Sequence, residues 1–196
     1  MKGKVIIGIV VVILIAFFGI SVNNNLVERE ESVESAWAQV ENQYQRRADL
    51  IPNLVNTVRG AADFEQETLT SVIEARSQAT SVNISSDDLN DPAKLQQFQQ
   101  AQAQLSGALS RLLVTVERYP ELKANSNFRD LQSQLEGTEN RISTERKRFN
   151  DAAQSYNTSI RKFPTSIFAS IGGFDRKAYF EADQGAEQAP AVDFSN

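Results

Sequence analysis

SAWAQVENQYQRRADLIPNLV, residues 35–55, sets two signals against each other. Val33, Val40, Leu54 and Ala61 keep a seven-residue register, and Trp37, Tyr44, Ile51 and Val58 form a second series four residues later. Two such series predict an apolar seam on one face of a helix over residues 26–59, with Gly60 as its break. Arg47 occupies a seam position, with Arg46 beside it, and Pro52 lies inside the helix.

A proline in a helix interior removes one donor and crowds the carbonyl four residues back, at a cost of roughly 3 kcal/mol. Such a site bends a helix, here around a core, with Asp49 and Asn53 placed to bond the freed backbone groups. An inward arginine either pairs with a carboxylate or snorkels to water along its stem. Glu145 is inward by the same register arithmetic, with Glu139 and Arg141 nearby, so Glu145 is one candidate partner among the inward carboxylates, with snorkelling as the alternative.

Outward from this stretch, the chain has 196 residues, 41% of them hydrophobic, enough for a core. The net charge of −5 argues against nucleic acid, whose phosphates need a basic patch. There are no cysteines and no histidines. Disulfides, thiolate chemistry, Ser-His-Asp triads and His- or Cys-ligated metals are thereby excluded. Carboxylate-only Mg²⁺ or Ca²⁺ sites and Lys or Ser nucleophiles stay open, but no motif points to a catalytic centre or a cofactor, so the expectation is a protein that is not an enzyme.

Residues 5–22, VIIGIVVVILIAFFGISV, carry no charge and no proline. As a helix these 18 residues span roughly 27 Å, close to the hydrocarbon thickness. They exceed a typical signal-peptide core of about 7–15 residues, so an uncleaved membrane anchor is expected rather than a secreted bundle. Lys2 and Lys4 precede the run and one arginine follows it, which places the N-terminus in the cytoplasm and the main domain outside. Gly8, Ala16 and Gly19 do not form GxxxG and read as ordinary lipid-facing positions.

Between Gly19 and Pro52 there is neither glycine nor proline, so the anchor can continue into the soluble part as one helix. A second helix is expected over 62–81, and a third from Pro92, capped by Asp91, to about Arg118. Leu95, Leu109 and Val116 share one series of the third helix, and Phe98, Leu105, Leu112 and Tyr119 the other. Its glutamine-rich stretch QQFQQAQAQ reads as a solvated outer face. Tyr119-Pro120 breaks the chain, and a fourth helix starts near Ser126. Its seam repeats through Phe128, Leu135, Ile142, Phe149, Tyr156 and Phe163, beside Leu131, Thr138, Glu145, Ala152 and Ser159, until Pro164. Beyond it, FPTSIFASIGGFDRKAYFEAD has no sustained helical period and reads as a segment docking onto the bundle or a neighbour. AEQAPAVDFSN reads as extended or mobile. The expected organisation is an anchor at 1–25, an antiparallel all-α four-helix bundle at 26–163, and a docking segment with tail at 164–196.

The sequence resembles the LemA family of bacterial membrane proteins. The resemblance lies in SAWAQVENQYQRRADLIPNLVNTVRGAA (35–62), SVIEAR (71–76), RYPELKANSNFRDLQSQLEGTENRI (118–142) and RKRFNDAAQSYNTSIRKFP (146–164), with GF at 173–174, YFEA at 179–182 and VDF at 192–194. It implies an N-terminal membrane helix, a soluble four-helix bundle and no established activity. Carried over position by position, the motif residues are Arg46, Arg47, Asp49, Pro52, Tyr119, Pro120, Asn125, Glu139, Arg141, Asn150 and Asn157, read as setting register, turns and inter-helix polar contacts. Glu145 stands where small residues are usual and Phe149 where tyrosine is, so Glu145 is not the family's general partner for Arg47.

The functional expectation is a single-pass protein of the bacterial inner membrane that acts as a scaffold and self-associates into a homo-oligomer. The alternative is an adaptor or sensor presenting the bundle to another membrane protein. The expected partners are the lipid bilayer and copies of the chain, with no nucleic acid, metal or cofactor.

Overall fold

The computed structural model describes residues 2–60 and 64–181 of the chain. Ala61, the start of the expected second helix, Ala182 of YFEA and the tail with VDF at 192–194 lie outside the described residues. The described residues form helices joined by turns, with no strand among them.

Helix α1 (Lys2–Arg59) is one uninterrupted rod of 58 residues. Its first part, from Ile6 to Phe18, is exposed throughout. Near the N-terminus this helix is long and apolar enough to cross a membrane. From Leu26 onward the same helix turns its seam inward: Leu26, Val33, Trp37, Val40, Tyr44, Ile51, Leu54 and Val58 are all buried.

Helix α2 (Gln66–Ser81) packs chiefly on α3 (Pro92–Val116) through Leu69, Val72, Ala75 and Ala79. A 3-10 turn at Asp87–Asn90 leads into α3. Asp91 caps α3 by accepting from the Ala93 N–H at 2.9 Å and the Lys94 N–H at 3.4 Å, which satisfies donors that a helix start leaves open. A short helix α4 (Pro120–Ala124) follows the Tyr119-Pro120 break. Asn125 then caps α5 (Ser126–Arg161), accepting from Asn127 and Phe128.

Helix α5 packs most extensively on α1. Arg29 bonds Ser155, Trp37 meets Phe149 and Arg47 bonds Glu139, so the partner's number falls as the α1 number rises. Phe128, Leu135, Ile142, Phe149 and Tyr156 are buried, but Phe163 is 82% exposed. Helix α5 ends at Arg161, one turn before Pro164, and so Phe163 leaves the seam. The companion series shifts as well. Ala153 and Ile160 are buried where the heptad count names Ala152 and Ser159. An α-helix has 3.6 residues per turn, so a strict seven-residue count slides around it by about 20° per heptad.

The segment after Pro164 contains a helix, α6 (Thr165–Gly172), where the sequence shows no sustained period. It is only two turns long, too short for periodicity to register. Gly173 ends it in the left-handed conformation, at φ 73°, which glycine adopts without strain. Phe168 of α6 lies over Gly19, where an added Cβ would stand 2.8 Å from its ring. Gly19 is therefore a packing site for α6 rather than a lipid-facing spacer.

The carbonyl freed by Pro52 is that of Ala48, which is buried. Arg76 of α2 donates its Nε–H to this oxygen at 2.8 Å. The expected local partners act elsewhere: Asp49 accepts from Gln45, and the Asn53 carbonyl accepts from Thr57. Pro52 thus creates an acceptor on α1 that a second helix fills.

Arg76→Leu should lower stability by about 1–3 kcal/mol, because a buried carbonyl loses its donor. In a Pro52→Ala background the loss should shrink, because the residue 52 N–H can take that carbonyl. Denaturant midpoints of the detergent-solubilised single and double variants measure this coupling, and strict additivity would refute the assignment.

Candidate functional site: a buried arginine layer and a clasped C-terminal segment

Arg47 is 1% exposed. Its guanidinium donates to Glu139 Oε2 at 2.7 Å, Ser106 Oγ at 2.8 Å, Gln102 Oε1 at 2.7 Å and the Gln102 carbonyl at 3.3 Å. The Tyr44 ring lies 5.1 Å away, a cation–π distance. Gln102 in turn donates to the Ala79 carbonyl on α2 at 3.1 Å. One side chain of α1 is thereby tied to α3 and α5 directly and to α2 through a glutamine.

This layer splits the core in two. One apolar cluster holds Trp37, Tyr44, Phe98, Ile142 and Phe149; the other holds Ile51, Leu54, Leu105, Leu109 and Leu135. Gln102 is the missing member of the series Leu95, Leu109, Val116, just as Arg47 interrupts Val33, Val40, Leu54. Two of the glutamines in QQFQQAQAQ are therefore structural: Gln102 is buried and Gln99 bonds the chain at Glu181, while Gln96, Gln97, Gln100 and Gln104 are exposed.

The partner of Arg47 is Glu139 and not Glu145. Glu145 accepts from Arg148 at 2.8 Å, one turn along its own helix. Position 145 lies on the segment of α5 facing Trp37 and Tyr44, whereas Glu139 stands level with Arg47. Register on one helix does not fix height against another. Glu139 itself is 55% exposed, so water reaches the layer on this side.

The other motif residues fall in several places. Arg46 and Arg141 are exposed and line a shallow groove of about 170 Å³ with Ser133, Gln134, Gly137 and Thr138. Tyr119 packs against Phe64, with ring centroids 5.0 Å apart, and Pro120 starts α4. Asn150 and Asn157 bond an extended segment rather than a neighbouring helix. Asn157 accepts the Lys177 N–H at 2.9 Å and donates to the Lys177 carbonyl at 2.8 Å. Asn150 treats Phe180 in the same way, at 2.9 and 3.0 Å.

A side-chain amide carries an acceptor oxygen beside N–H donors, so it can match the N–H and C=O that one backbone residue presents. Two asparagines seven residues apart on α5 lie roughly 10 Å apart along the axis, and the extended residues 177 and 180 span a similar distance. The clasp continues through the Ala178 N–H, which donates to the Leu89 carbonyl at 2.8 Å. Between these bonds, Phe180 enters the aromatic cluster, stacked on Trp37 with centroids 5.8 Å apart and edge-on to Phe149 at 5.4 Å. Lys177, 4% exposed, pairs with Glu30 at 2.7 Å and lies 5.7 Å from the Tyr156 ring centroid. The docking segment thus sits on the chain's own helices.

Sequence reasoning did not single out Glu30, Arg76, Gln99, Gln102, Ser106, Lys177 or Phe180. For Gln102 and the two asparagines a signal existed: polar residues at seven-residue spacing in or beside an apolar series. For the others the contacts are long-range and leave no local trace. Among the described residues, no three acidic, histidine or cysteine side chains converge as a metal would need.

The chain belongs to the LemA family, whose sequence pattern matches residues 36–194. Protein LemA of Metamycoplasma hominis is 23% identical over 161 residues, covering 82% of this chain and 69% of that protein. Magnetosome protein MamQ 2 of Paramagnetospirillum magneticum is 36% identical over 85 residues, 43% of this chain. Magnetosome protein MamQ of Magnetospirillum gryphiswaldense is 35% identical over the same length. The matched stretch spans 31% of each of these magnetosome proteins.

Arg47→Ala should cost about 3–5 kcal/mol, since it breaks a buried charged network. Glu139→Ala should cost less, about 1.5–3 kcal/mol, because its carboxylate is half in water and Gln102 and Ser106 still hold Arg47. Denaturation midpoints rank the two; equal losses, or none, would contradict the layer's geometry.

Burial, then the negative charges of Glu30 and Asp175, raise the Tyr156 phenol well above its ordinary range near 10. A pKa raised on folding means that the unfolded chain releases this proton first, so stability falls as pH climbs above about 10. Tyr156→Phe should flatten that fall. Its hydroxyl has no hydrogen-bond partner among the described residues, so at pH 7 the variant should match the parent or exceed it by about 1 kcal/mol. Thermal midpoints of both proteins from pH 7 to 12 test this.

Proposed function

We propose that the protein is a non-enzymatic, single-pass scaffold of the bacterial inner membrane that self-associates into a homo-oligomer. In this reading α1, α2, α3 and α5 close as an antiparallel four-helix bundle, supported by the falling order of α1–α5 partners and by the two shared apolar clusters. The N-terminus lies in the cytoplasm and the bundle outside, following the flanking lysines.

The observation that carries the reading is the continuity of α1. The same helix is exposed and apolar from Ile6 to Phe18 and turns its seam into the core from Leu26 to Val58. Its core part, residues 26–59, is roughly 50 Å long. A rod rooted in lipid at one end fixes the bundle's direction from the membrane, which is what an assembly of parallel posts requires. The match to magnetosome proteins covers less than half of this chain, so a magnetosome role is not carried over.

A second reading, an adaptor for another membrane protein, is favoured by the open groove between Arg46 and Arg141, which presents two exposed cations. Extraction in mild detergent followed by mass measurement separates the two. A single multimeric species of this chain is expected. Monomers alone would overturn the scaffold reading, and one stoichiometric foreign protein would replace it with the adaptor.

A further inference from the structure

Helix α6 sits beside the apolar part of α1. Phe168 covers Gly19, and its ring meets Phe18 edge-on with centroids 5.7 Å apart. One turn later Gly172 lies near Asn23, where an added Cβ would stand 3.8 Å from the Asn23 Oδ1. Helix α6 therefore follows α1 from Gly19 toward Asn23, and the turn that precedes it lies on the Gly19 side.

Phe163 in that turn is 82% exposed, Ile167 52% and Ile171 81%. The two isoleucines are four residues apart, on one face of α6. Phe168 and Ala169 occupy the inner side. Water should not face three bare apolar side chains placed next to a membrane span. Three side chains also fall short of the roughly 1,000 Å² that a specific protein interface buries.

The depth agrees with lipid. Asn23 is the first polar amide after the apolar run, and Gly19 lies four residues before it, about 6 Å toward the bilayer centre. The charges are placed to match. Arg161 and Lys162 are exposed immediately before the turn, and Arg176 is exposed after Gly173, with Asp175 as the one acidic neighbour in that stretch.

We propose that the α5–α6 turn and the outer face of α6 are seated in the interfacial layer of the bilayer, with Phe163, Ile167 and Ile171 against lipid and Arg161 and Lys162 at headgroup phosphates. This second membrane contact rests on the reading that α1 spans the bilayer. It fixes the rotation of α1 about its own axis, which a lone span leaves free. The clasp ties the same segment to α5 through Asn157 and Asn150, so the bundle's orientation is locked to the membrane surface at two points.

The chain has no cysteine, so single cysteines can be labelled without background. Nitroxide labels at Phe163→Cys, Ile167→Cys and Ile171→Cys would be compared with Val12→Cys in the span and Val114→Cys on exposed α3. The full-length protein is reconstituted in vesicles of phosphatidylcholine and phosphatidylglycerol. Accessibility to oxygen relative to a water-soluble nickel complex should be severalfold higher at 12, 163, 167 and 171 than at 114. If 163, 167 and 171 follow 114 while 12 stays in lipid, the interfacial seat is wrong and the span stands. If 12 also follows 114, both readings fall. If the α6 labels broaden one another and sharpen on dilution with unlabelled chain, a second copy covers the patch instead of lipid.

Discussion

The arginine layer at Arg47 is the constraint on which the arrangement of helices depends. Apolar seams attract one another without fixing height, because sliding one heptad restores much of the contact. A guanidinium buried among Gln102, Ser106 and Glu139 cannot slide. Any shift strands a charge in the core, and an unpaired buried charge is far costlier than the pair is favourable. The layer therefore specifies one height for α1 against α3 and α5, and Gln102 extends that setting to α2 through the Ala79 carbonyl.

Pro52 and Arg76 add a second pin one turn away. The missing N–H leaves an open acceptor at Ala48, for which Arg76 of α2 supplies the donor. Both pins work by the same physics: a polar group that would be unsatisfied inside one helix is satisfied by another. The asparagine clasp repeats this at the other end of α5, where side-chain amides stand in for the strand that residues 177–181 would otherwise need. Together these three devices tie α1 to α2, α3 and α5, and α5 to residues 177–181.

How far the sequence could be read depended on the range of each signal. The seams of α1 and α5 were legible because burial repeats along a helix, and Asp91-Pro92 was legible because capping is local. The pairing of Arg47 was not. Heptad arithmetic places a residue on a face and gives no relative height between helices, so it named Glu145 where Glu139 lies level. The shift from Ala152 to Ala153 marks the slow drift of 3.6 residues per turn against a count of seven, and Phe163 leaves the seam because α5 ends before it. Helix α6 was missed because two turns give periodicity too little length, and Gly19 was misread because its neighbour lies some 150 residues away.

By itself the sequence determined an all-helical chain with one apolar helix able to cross a membrane, the faces of the long helices that are buried, and an inward arginine next to an interior proline. Those are properties of neighbouring residues and of free energies that add along one helix. The tertiary structure alone decided which carboxylate meets Arg47, which side chain serves the Ala48 carbonyl, and where residues 165–181 dock. Each is a contact between residues far apart in the chain, and its partner is selected by satisfying a buried polar group rather than by any local preference.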